Sequence, residues 1–189
     1  MEYWNSRYVN EKTGWDVGCI TTPLKEYFDQ IHDKNLKILI PGSGSGYEAE
    51  YLFINNFKNV FVLDYATTAL KNFKKRLPKF PKNQIFDMNF FDSYGKFDLI
   101  IEQTFFCAID INKRLDYISK MSELLVDKGK LVGLFFDNNF RDESPPYGAT
   151  KNQYIDLLSL SFNIIIFEKC FNSIPSRSNN EFFCVAEKK

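Results

Sequence analysis

Residues 36–46, LKILIPGSGSG, join an apolar run to three glycines placed at every second position, Gly42, Gly44 and Gly46. An apolar run bounded by Gly and Pro is typical of a buried strand, and glycines in the turn after it let the backbone approach a ligand closely. The helix expected from Glu48 onward directs its N-terminal amides at an anion. The stretch therefore predicts a strand, a ligand-binding loop and a helix, although Gly-rich turns also occur as plain connections.

Length and charge limit the classes of protein that the chain can be. Its 189 residues suit a single domain with a full core, since domains commonly contain about 100–200 residues. Lys and Arg together number 24, as do Asp and Glu, so no basic excess attracts the chain to nucleic acid. The hydrophobic content of 44% is too high for a disordered chain. We expect one compact domain over residues 1–189 that binds no nucleic acid.

Cysteine spacing and the apolar pattern indicate the cellular compartment of the protein. The N-terminal residues lack the pattern of a secretory leader, and no apolar run approaches the roughly 18 residues that span a bilayer. The four cysteines form no CxxC pair, which argues against a zinc site and fits buried thiols in a reducing compartment; they are Cys19, Cys107, Cys170 and Cys184. We expect a cytoplasmic protein with no membrane partner, no disulfide and no metal.

Strand and helix patterns alternate along the chain. Apolar runs rich in branched and aromatic residues predict strands at 36–41, 59–64, 83–88, 97–102, 129–136, 162–169 and 181–188. Apolar periodicity and helix-start signals predict helices at 22–32, 48–57, 66–77, 112–126 and 151–160. This alternation implies right-handed crossovers and a mostly parallel sheet, and the last two strands, with no helix between them, should pair antiparallel. The fold class is α/β and Rossmann-like, with helices on both faces of the sheet.

In such sheets a ligand binds at the carboxyl ends of the strands. Asp64 ends the second predicted strand, about 20 residues after the glycines, where its carboxylate can accept both hydroxyls of a ribose. The alternative role for Asp64 is a helix N-cap. A dinucleotide-binding fingerprint requires a glycine at position 47, and Tyr47 stands there. The loop therefore favours a nucleoside ligand without a pyrophosphate.

Further segments resemble a known family in order and spacing. They are YWNSRYVNEKTGWDVGCITTPL (3–24), IPGSGSGYEAEYL (40–52), VLDYATTAL (62–70), NFFDSYGKFDLIIEQTFFCAID (89–110), SPPYGAT (144–150) and SIPSRSNNE (173–181). Together they resemble the thiopurine methyltransferase superfamily, and within it the halide and thiol methyltransferases. The resemblance implies a class I methyltransferase that moves a methyl group from S-adenosylmethionine, leaving S-adenosylhomocysteine, to a small soft nucleophile.

The resemblance also implies which residues bind the cofactor. Trp4 and Trp15, in a segment of residues 1–20, are expected to close over it, the alternative being a segment that only packs on the sheet edge. Asn89 stands where the family commonly has an acidic residue, so the polar part of its adenine contact is an open question. Glu102 ends the fourth predicted strand and faces the methionine ammonium or caps the following turn. The expected cofactor-binding residues are Trp4, Trp15, Gly42, Ser43, Gly44, Gly46, Asp64, Tyr65, Asn89, Phe90 and Glu102.

The expected acceptor pocket follows the fourth and fifth strands. Phe105, Phe106 and Cys107 come directly after strand four, where aromatic rings can shield a sulfonium from water, although ordinary core packing explains either Phe equally well. Tyr147, in the loop 137–150, belongs to the same pocket. By the family pattern, Tyr147 directs a hydroxyl at the acceptor and Arg114 makes the entrance positive; a packed loop aromatic and a surface salt bridge are the alternatives.

The lack of a placed general base limits the chemistry. Cys107 has no His near it in sequence, and direct transfer needs no covalent intermediate. A thiolate, bisulfide, thiocyanate, halide or thiopurine-like sulfur arrives ionised or nearly so, and an aligned, dry pocket is enough to catalyse its attack. A non-catalytic S-adenosylmethionine or nucleoside sensor is the alternative function, and a nicotinamide oxidoreductase is a third. We expect a small-molecule thiol or anion substrate and a monomer or weak homodimer.

Overall fold

The computed structural model describes residues 2–137 and 144–189, apart from the side chain of Glu2. The chain divides into two compact units, Met1–Ser93 and Tyr94–Lys189. A single domain over residues 1–189 stays a prediction. The described residues form seven strands and six α-helices, so the α/β class is confirmed.

The first unit contains a parallel three-stranded arrangement with the strand order β3-β2-β1. Its elements are α1 (Glu2–Val9), α2 (Thr22–Asp29), β1 (Lys37–Pro41), α3 (Tyr47–Ile54), β2 (Asn59–Asp64), α4 (Thr67–Arg76) and β3 (Ile85–Asp87). Leu39, Val62 and Phe73 are at most 1% exposed and form part of its core. Because the strands are parallel, the loops after β1 and β2 lie at the same edge.

The second unit has the strand order β4-β5-β7-β6. Its elements are β4 (Phe97–Gln103), α5 (Arg114–Leu124), β5 (Leu125–Phe136), α6 (Lys151–Leu158), β6 (Phe162–Lys169) and β7 (Glu181–Lys188). β4 and β5 are parallel, while β7 runs antiparallel to both β5 and β6. The predicted antiparallel pairing of the last two strands is confirmed. The segments after β4 and β5 and before β7 lie at one edge of this unit.

The structure differs from the prediction in two places. Residues 2–9, for which no helix was predicted, form α1, because Trp4 and Tyr8 share one helical face that packs on other aromatic rings. The predicted helix 112–126 ends at Leu124, and β5 begins at Leu125 rather than at 129, because the side chain of Leu125 is fully buried and its backbone pairs with Phe97. Tertiary pairing has overridden the local pattern here.

Residues 138–143 lie outside the described residues, so the predicted loop 137–150 is described only at Asp137 and over 144–150. Asp137 bridges to Ala149, which brings the two ends of the loop together. Of the described helices, none has the length and apolar character needed to cross a membrane.

Candidate active site

The glycine loop of the first unit has the backbone that its sequence predicts. Gly44 and Gly46 adopt φ values of 51° and 69°, in the left-handed region that favours glycine. A Cβ on Gly44 would lie 2.5 Å from the Tyr8 hydroxyl, and one on Gly46 would lie 2.7 Å from the Phe73 ring. Gly46 precedes the first residue of α3, so the loop leads directly into a helix N-terminus.

Ser43 adds an available polar group to this loop. Its amide donates to Leu63 O at 3.1 Å, which ties the loop to β2. Its hydroxyl is buried and has no hydrogen-bond partner among the described residues. A buried hydroxyl without a partner costs free energy, so the loop fits a ligand with a polar group that bonds Ser43.

Asp64 lies beside the loop at the end of β2. Its Oδ2 accepts from the Gly44 amide and its Oδ1 from the Ala66 amide, each at 2.8 Å. Burial raises the pKa of Asp64, although the hydrogen bonds from these backbone amides lower it. The hydrogen bond from the Ala66 amide is the one that the helix-cap alternative expects. Each carboxylate oxygen can accept a further hydrogen bond, so the ribose role is also open to Asp64 and stays a prediction.

The N-terminal segment packs onto the glycine loop and α4. The Trp4 and Trp15 ring centroids are 5.2 Å apart at 83°, and both rings are half-buried. Asn5 Oδ1 accepts from the Thr68 amide at 2.9 Å, near the start of α4. The hydroxyl of Ser45 donates to Asp16. The segment therefore lies over the loop, and its closing over a cofactor stays a prediction.

Tyr8 is a residue of this region that the sequence interpretation missed. Trp15 Nε1 donates to the Tyr8 hydroxyl at 3.4 Å, and that hydroxyl stands against Gly44. Burial, and then the charge of Asp64, raise the pKa of Tyr8. The spacing of Trp4 and Tyr8, four residues apart on one helix, was the available signal.

Tyr65, Asn89 and Phe90 lie in or near the loops after β2 and β3. Burial raises the pKa of Tyr65, with the Asp64 charge adding to the effect. Asn89 Oδ1 accepts from the Phe91 amide at 3.1 Å and caps a short turn, and Phe90 is 2% exposed. The adenine contacts of Asn89 and Phe90 stay predictions.

In the second unit, Glu102 caps the turn that follows β4. Its Oε1 accepts from the amides of Phe105 and Phe106 at 2.7 Å and 2.8 Å. The hydroxyl of Tyr117, on α5, donates to Oε2. Burial raises the pKa of Glu102 to about 7, although the bonds from Tyr117, Phe106 and Phe105 lower it. Glu102 therefore caps the turn after β4, as one of its two predicted roles requires. Its contact with a methionine ammonium stays a prediction.

Phe105, Phe106 and Cys107 are all buried in this turn. The Phe106 ring packs on Tyr117, Phe135 and Tyr154 with centroid distances of 5.1–5.7 Å, as a core residue does. Burial raises the pKa of Cys107 to about 12, so the thiol stays protonated at neutral pH. A protonated thiol is a poor nucleophile, in agreement with direct transfer.

Arg114 lies close to the backbone of Tyr147 and Gly148. Arg114 is 7% exposed, and its guanidinium lies 4.7 Å from the Phe106 ring centroid and donates to Gly148 O at 2.9 Å. The surface salt bridge considered for Arg114 is wrong, because burial excludes an exposed pair. Tyr147, half-buried, donates its amide to Cys107 O at 2.7 Å. Its role at the acceptor stays a prediction.

A buried charge pair before β7 was missed by the sequence interpretation. Arg177 and Glu181 are 3.4 Å apart, with side chains 8% and 2% exposed. Ser173 donates to Glu181 at 2.8 Å, and Arg177 lies 5.5 Å from the Phe136 ring centroid. This pair fixes the segment before β7. The spacing of Arg177 and Glu181 in SIPSRSNNE was the available signal.

Known proteins resemble the chain over its whole length. The sequence model of thiopurine S-methyltransferase matches residues 1–188. A probable thiol methyltransferase 2 of Arabidopsis thaliana is 30% identical over 168 residues, which are 86% of this chain and 74% of that protein. Thiocyanate methyltransferase 1 of Arabidopsis thaliana is 27% identical over 184 residues, 94% of this chain and 81% of that protein.

Solved structures share the fold at low sequence identity. Magnesium protoporphyrin IX methyltransferase from Synechocystis, with bound S-adenosylmethionine, has a TM-score of 0.76 at 14% identity and covers 100% of this chain and 94% of its own. The N1-methyltransferase of 1,6-didemethyltoxoflavin from Burkholderia thailandensis, with bound S-adenosylhomocysteine, has a TM-score of 0.76 at 14% identity, over 98% and 85%. The predicted Rossmann-like class I methyltransferase fold is confirmed.

Proposed function

The chain belongs to the thiopurine S-methyltransferase family and is an S-adenosylmethionine-dependent methyltransferase, and from this premise we propose that its acceptor is a small soft nucleophile. The acceptor class comprises a thiol, bisulfide, thiocyanate, a halide or a thiopurine-like sulfur. One observation carries the proposal. Two relatives, which match 86% and 94% of this chain, are named as a probable thiol methyltransferase and a thiocyanate methyltransferase.

The first unit fits the cofactor. The buried Ser43 hydroxyl without a partner, beside glycines whose backbone approaches closely, suits the methionine carboxylate. Asp64, with acceptor capacity left on both oxygens, suits the ribose hydroxyls. We assign Trp4 and Trp15 to cover the cofactor and Phe90 to its adenine. When bound, S-adenosylmethionine supplies an electrophilic methyl group on a sulfonium.

The second unit supplies the acceptor side. Phe105 and Phe106 exclude water around a desolvated acceptor, which strengthens the attraction between the acceptor and the fixed charges around it. Tyr147 orients the acceptor through its hydroxyl, and Arg114 holds the Tyr147 segment by donating to Gly148 O. Soft anions and thiolates attack without a general base, so alignment and desolvation are the contribution of these residues.

The proposal is tested by incubating the purified protein with labelled S-adenosylmethionine and a panel of acceptors. We expect labelled methyl products from thiocyanate, bisulfide, iodide or a small thiol, and none from catechols or nucleic acid. A reaction without protein is the control for uncatalysed transfer, and Asp64→Ala, which removes the proposed ribose contact, should lower transfer at limiting S-adenosylmethionine. Transfer to oxygen acceptors alone would overturn the acceptor class but not the family.

A further inference from the structure

The turn after β4 is held in an uncommon backbone conformation. Thr104 has a φ of 56°, in the left-handed region, where a β-branched residue is strained. Such strain persists only where the surroundings fix the residue, and it is concentrated at functional sites. The Cys107 thiol donates to Thr104 O at 3.3 Å. The turn therefore depends on hydrogen bonds that hold it in place.

Glu102 supplies the main bonds, and three elements fix its own position. One oxygen accepts from the amides of Phe105 and Phe106, and the other accepts from the Tyr117 hydroxyl on α5. On the neighbouring strand β5, a Cβ at Gly133 would lie 2.3 Å from Glu102 O and 2.4 Å from Glu102 Cβ. The backbone of β5 thus approaches Glu102 as closely as glycine allows.

The turn is also connected to the acceptor-side loop. Cys107 O accepts from the Tyr147 amide at 2.7 Å. Arg114 lies over the Phe106 ring and donates to Gly148 O, so it contacts both the turn and the loop. A change in how firmly Glu102 holds the turn therefore reaches Tyr147 through one backbone hydrogen bond.

We propose that Glu102 is a positioning residue, whose ionised carboxylate holds the turn Thr104–Cys107 and the attached Tyr147 segment in the geometry needed for methyl transfer. Protonation of Glu102 removes acceptor capacity from the carboxylate, loosens the turn and lowers transfer. The inference rests on the proposed function in one respect, the assignment of this turn to the acceptor side of the active site.

The surroundings make Glu102 the group of this cluster that titrates near neutral pH. Burial raises the pKa of Glu102 to about 7. Burial also raises the pKa values of the neighbouring Cys107, Tyr117, Tyr154 and Cys184, so all four stay neutral at pH 7. The cations whose charges act on Cys107 are Arg177 and Arg114.

The first test measures structure without activity. In ¹⁵N spectra of the ligand-free protein, we expect the amides of Phe105, Phe106 and Tyr147 to shift with one common midpoint near pH 7. Glu102→Gln abolishes this titration. The matched control is Glu123→Gln, because Glu123 is an exposed carboxylate on α5, and it leaves the titration unchanged. Amides that do not respond between about pH 6 and 8, or a Tyr147 amide that does not follow the other two, would overturn the inference.

The second test measures methyl transfer to thiocyanate, which stays ionised across this pH range. We expect kcat/KM for thiocyanate to fall about tenfold from pH 8 to pH 6 in the unsubstituted protein and to be low and flat in Glu102→Gln. Tyr117→Phe removes a bond that lowers the Glu102 pKa, so its midpoint moves to higher pH. An unchanged acid limb in Glu102→Gln would overturn the inference. Failure of the proposed function is distinct, because it abolishes transfer to every soft acceptor and leaves the amide titration intact.

Discussion

Asp64 shows how one side chain serves both the fold and the proposed site. Its oxygens accept amides from Gly44 and Ala66, so the carboxylate links the glycine loop to the turn before α4. The two roles considered for Asp64, cap and ribose acceptor, are compatible because a carboxylate offers about four lone-pair sites. Substitution should therefore affect stability as well as cofactor affinity.

For Asp64→Ala, we expect the affinity for S-adenosylhomocysteine to fall by about 1.5–3 kcal/mol for each charge-assisted ribose bond lost, roughly ten- to a hundredfold. Titration calorimetry measures this. The substitution also leaves two amides without their acceptor, so the free energy of unfolding falls.

Asp33→Ala is the matched control, because Asp33 is exposed and accepts from the Asn35 amide at 2.9 Å, away from the glycine loop. Its affinity should equal that of the unsubstituted protein. If Asp64→Ala keeps full affinity, Asp64 does not bind the ribose.

Glu102 should make the free energy of unfolding depend on pH. Its folded pKa of about 7 exceeds the unfolded value of about 4.5, because burial penalises the ionised carboxylate more than its local hydrogen bonds favour it. The contribution of Glu102 to the free energy of unfolding is therefore complete below pH 4.5 and is lost as pH rises through 7, even though the ionised form is the one that holds the turn. At one pKa unit per about 1.4 kcal/mol, the loss is up to about 3 kcal/mol.

Glu102→Gln lacks this titration, so its stability relative to the unsubstituted protein should rise between about pH 5 and pH 8. Urea unfolding at both values measures the change. A constant difference at the two pH values would show that burial does not shift the Glu102 pKa. A variant that is more stable at pH 8 yet transfers methyl groups more slowly would separate positioning from a purely structural role.

At the scale of elements, close approach of β5 to β4 sets the position of the turn that carries Phe105 and Phe106. Gly133 pairs with Glu102 in the register of these strands and leaves no space for a side chain. In the first unit, the N-terminal segment sets the surroundings of the glycine loop, because α1 packs on α4 and Tyr8 contacts the loop. Each contact gives a separate prediction.

Gly133→Ala should destabilise the protein by about 1–3 kcal/mol, because the new Cβ would meet backbone and Cβ atoms of Glu102 at under 2.5 Å. Gly14→Ala is the control, since a Cβ there meets nothing within 4 Å. Thermal unfolding of both variants measures the difference. Equal stability of the two variants would contradict the close β4–β5 approach.

Trp4 and Trp15 should report cofactor binding, because they are the only tryptophans and both lie in the N-terminal segment. We expect their fluorescence to shift and their quencher access to fall when S-adenosylhomocysteine is added. Deletion of residues 1–16 should weaken binding more than folding. Constant emission together with normal binding by the truncated chain would exclude a covering role.

For the whole molecule, ligand binding and stability are linked. A ligand that binds only the folded state at about 100 times its Kd stabilises by about 2.7 kcal/mol. S-adenosylhomocysteine should therefore raise Tm by several degrees, since about 1 kcal/mol corresponds to roughly 2–4 °C in a chain of this size. NAD should not raise Tm, because Tyr47 occupies the position of the third fingerprint glycine. A shift with NAD alone would favour an oxidoreductase.

The sequence by itself determined the order of strands and helices, the glycine loop and the family, because these depend on local periodicity, turn residues and motif spacing. In the second unit β4, α6, β6 and β7 lie within two residues of their predicted bounds, but α1 and the start of β5 required tertiary contacts. Only the tertiary structure showed that Glu102 is fully buried and bonded to Tyr117, and that Arg114 lies beneath the Tyr147 segment. The reason is physical: burial, pKa and hydrogen-bond partners depend on residues 15 to 34 positions away in the chain, whose proximity no local pattern encodes.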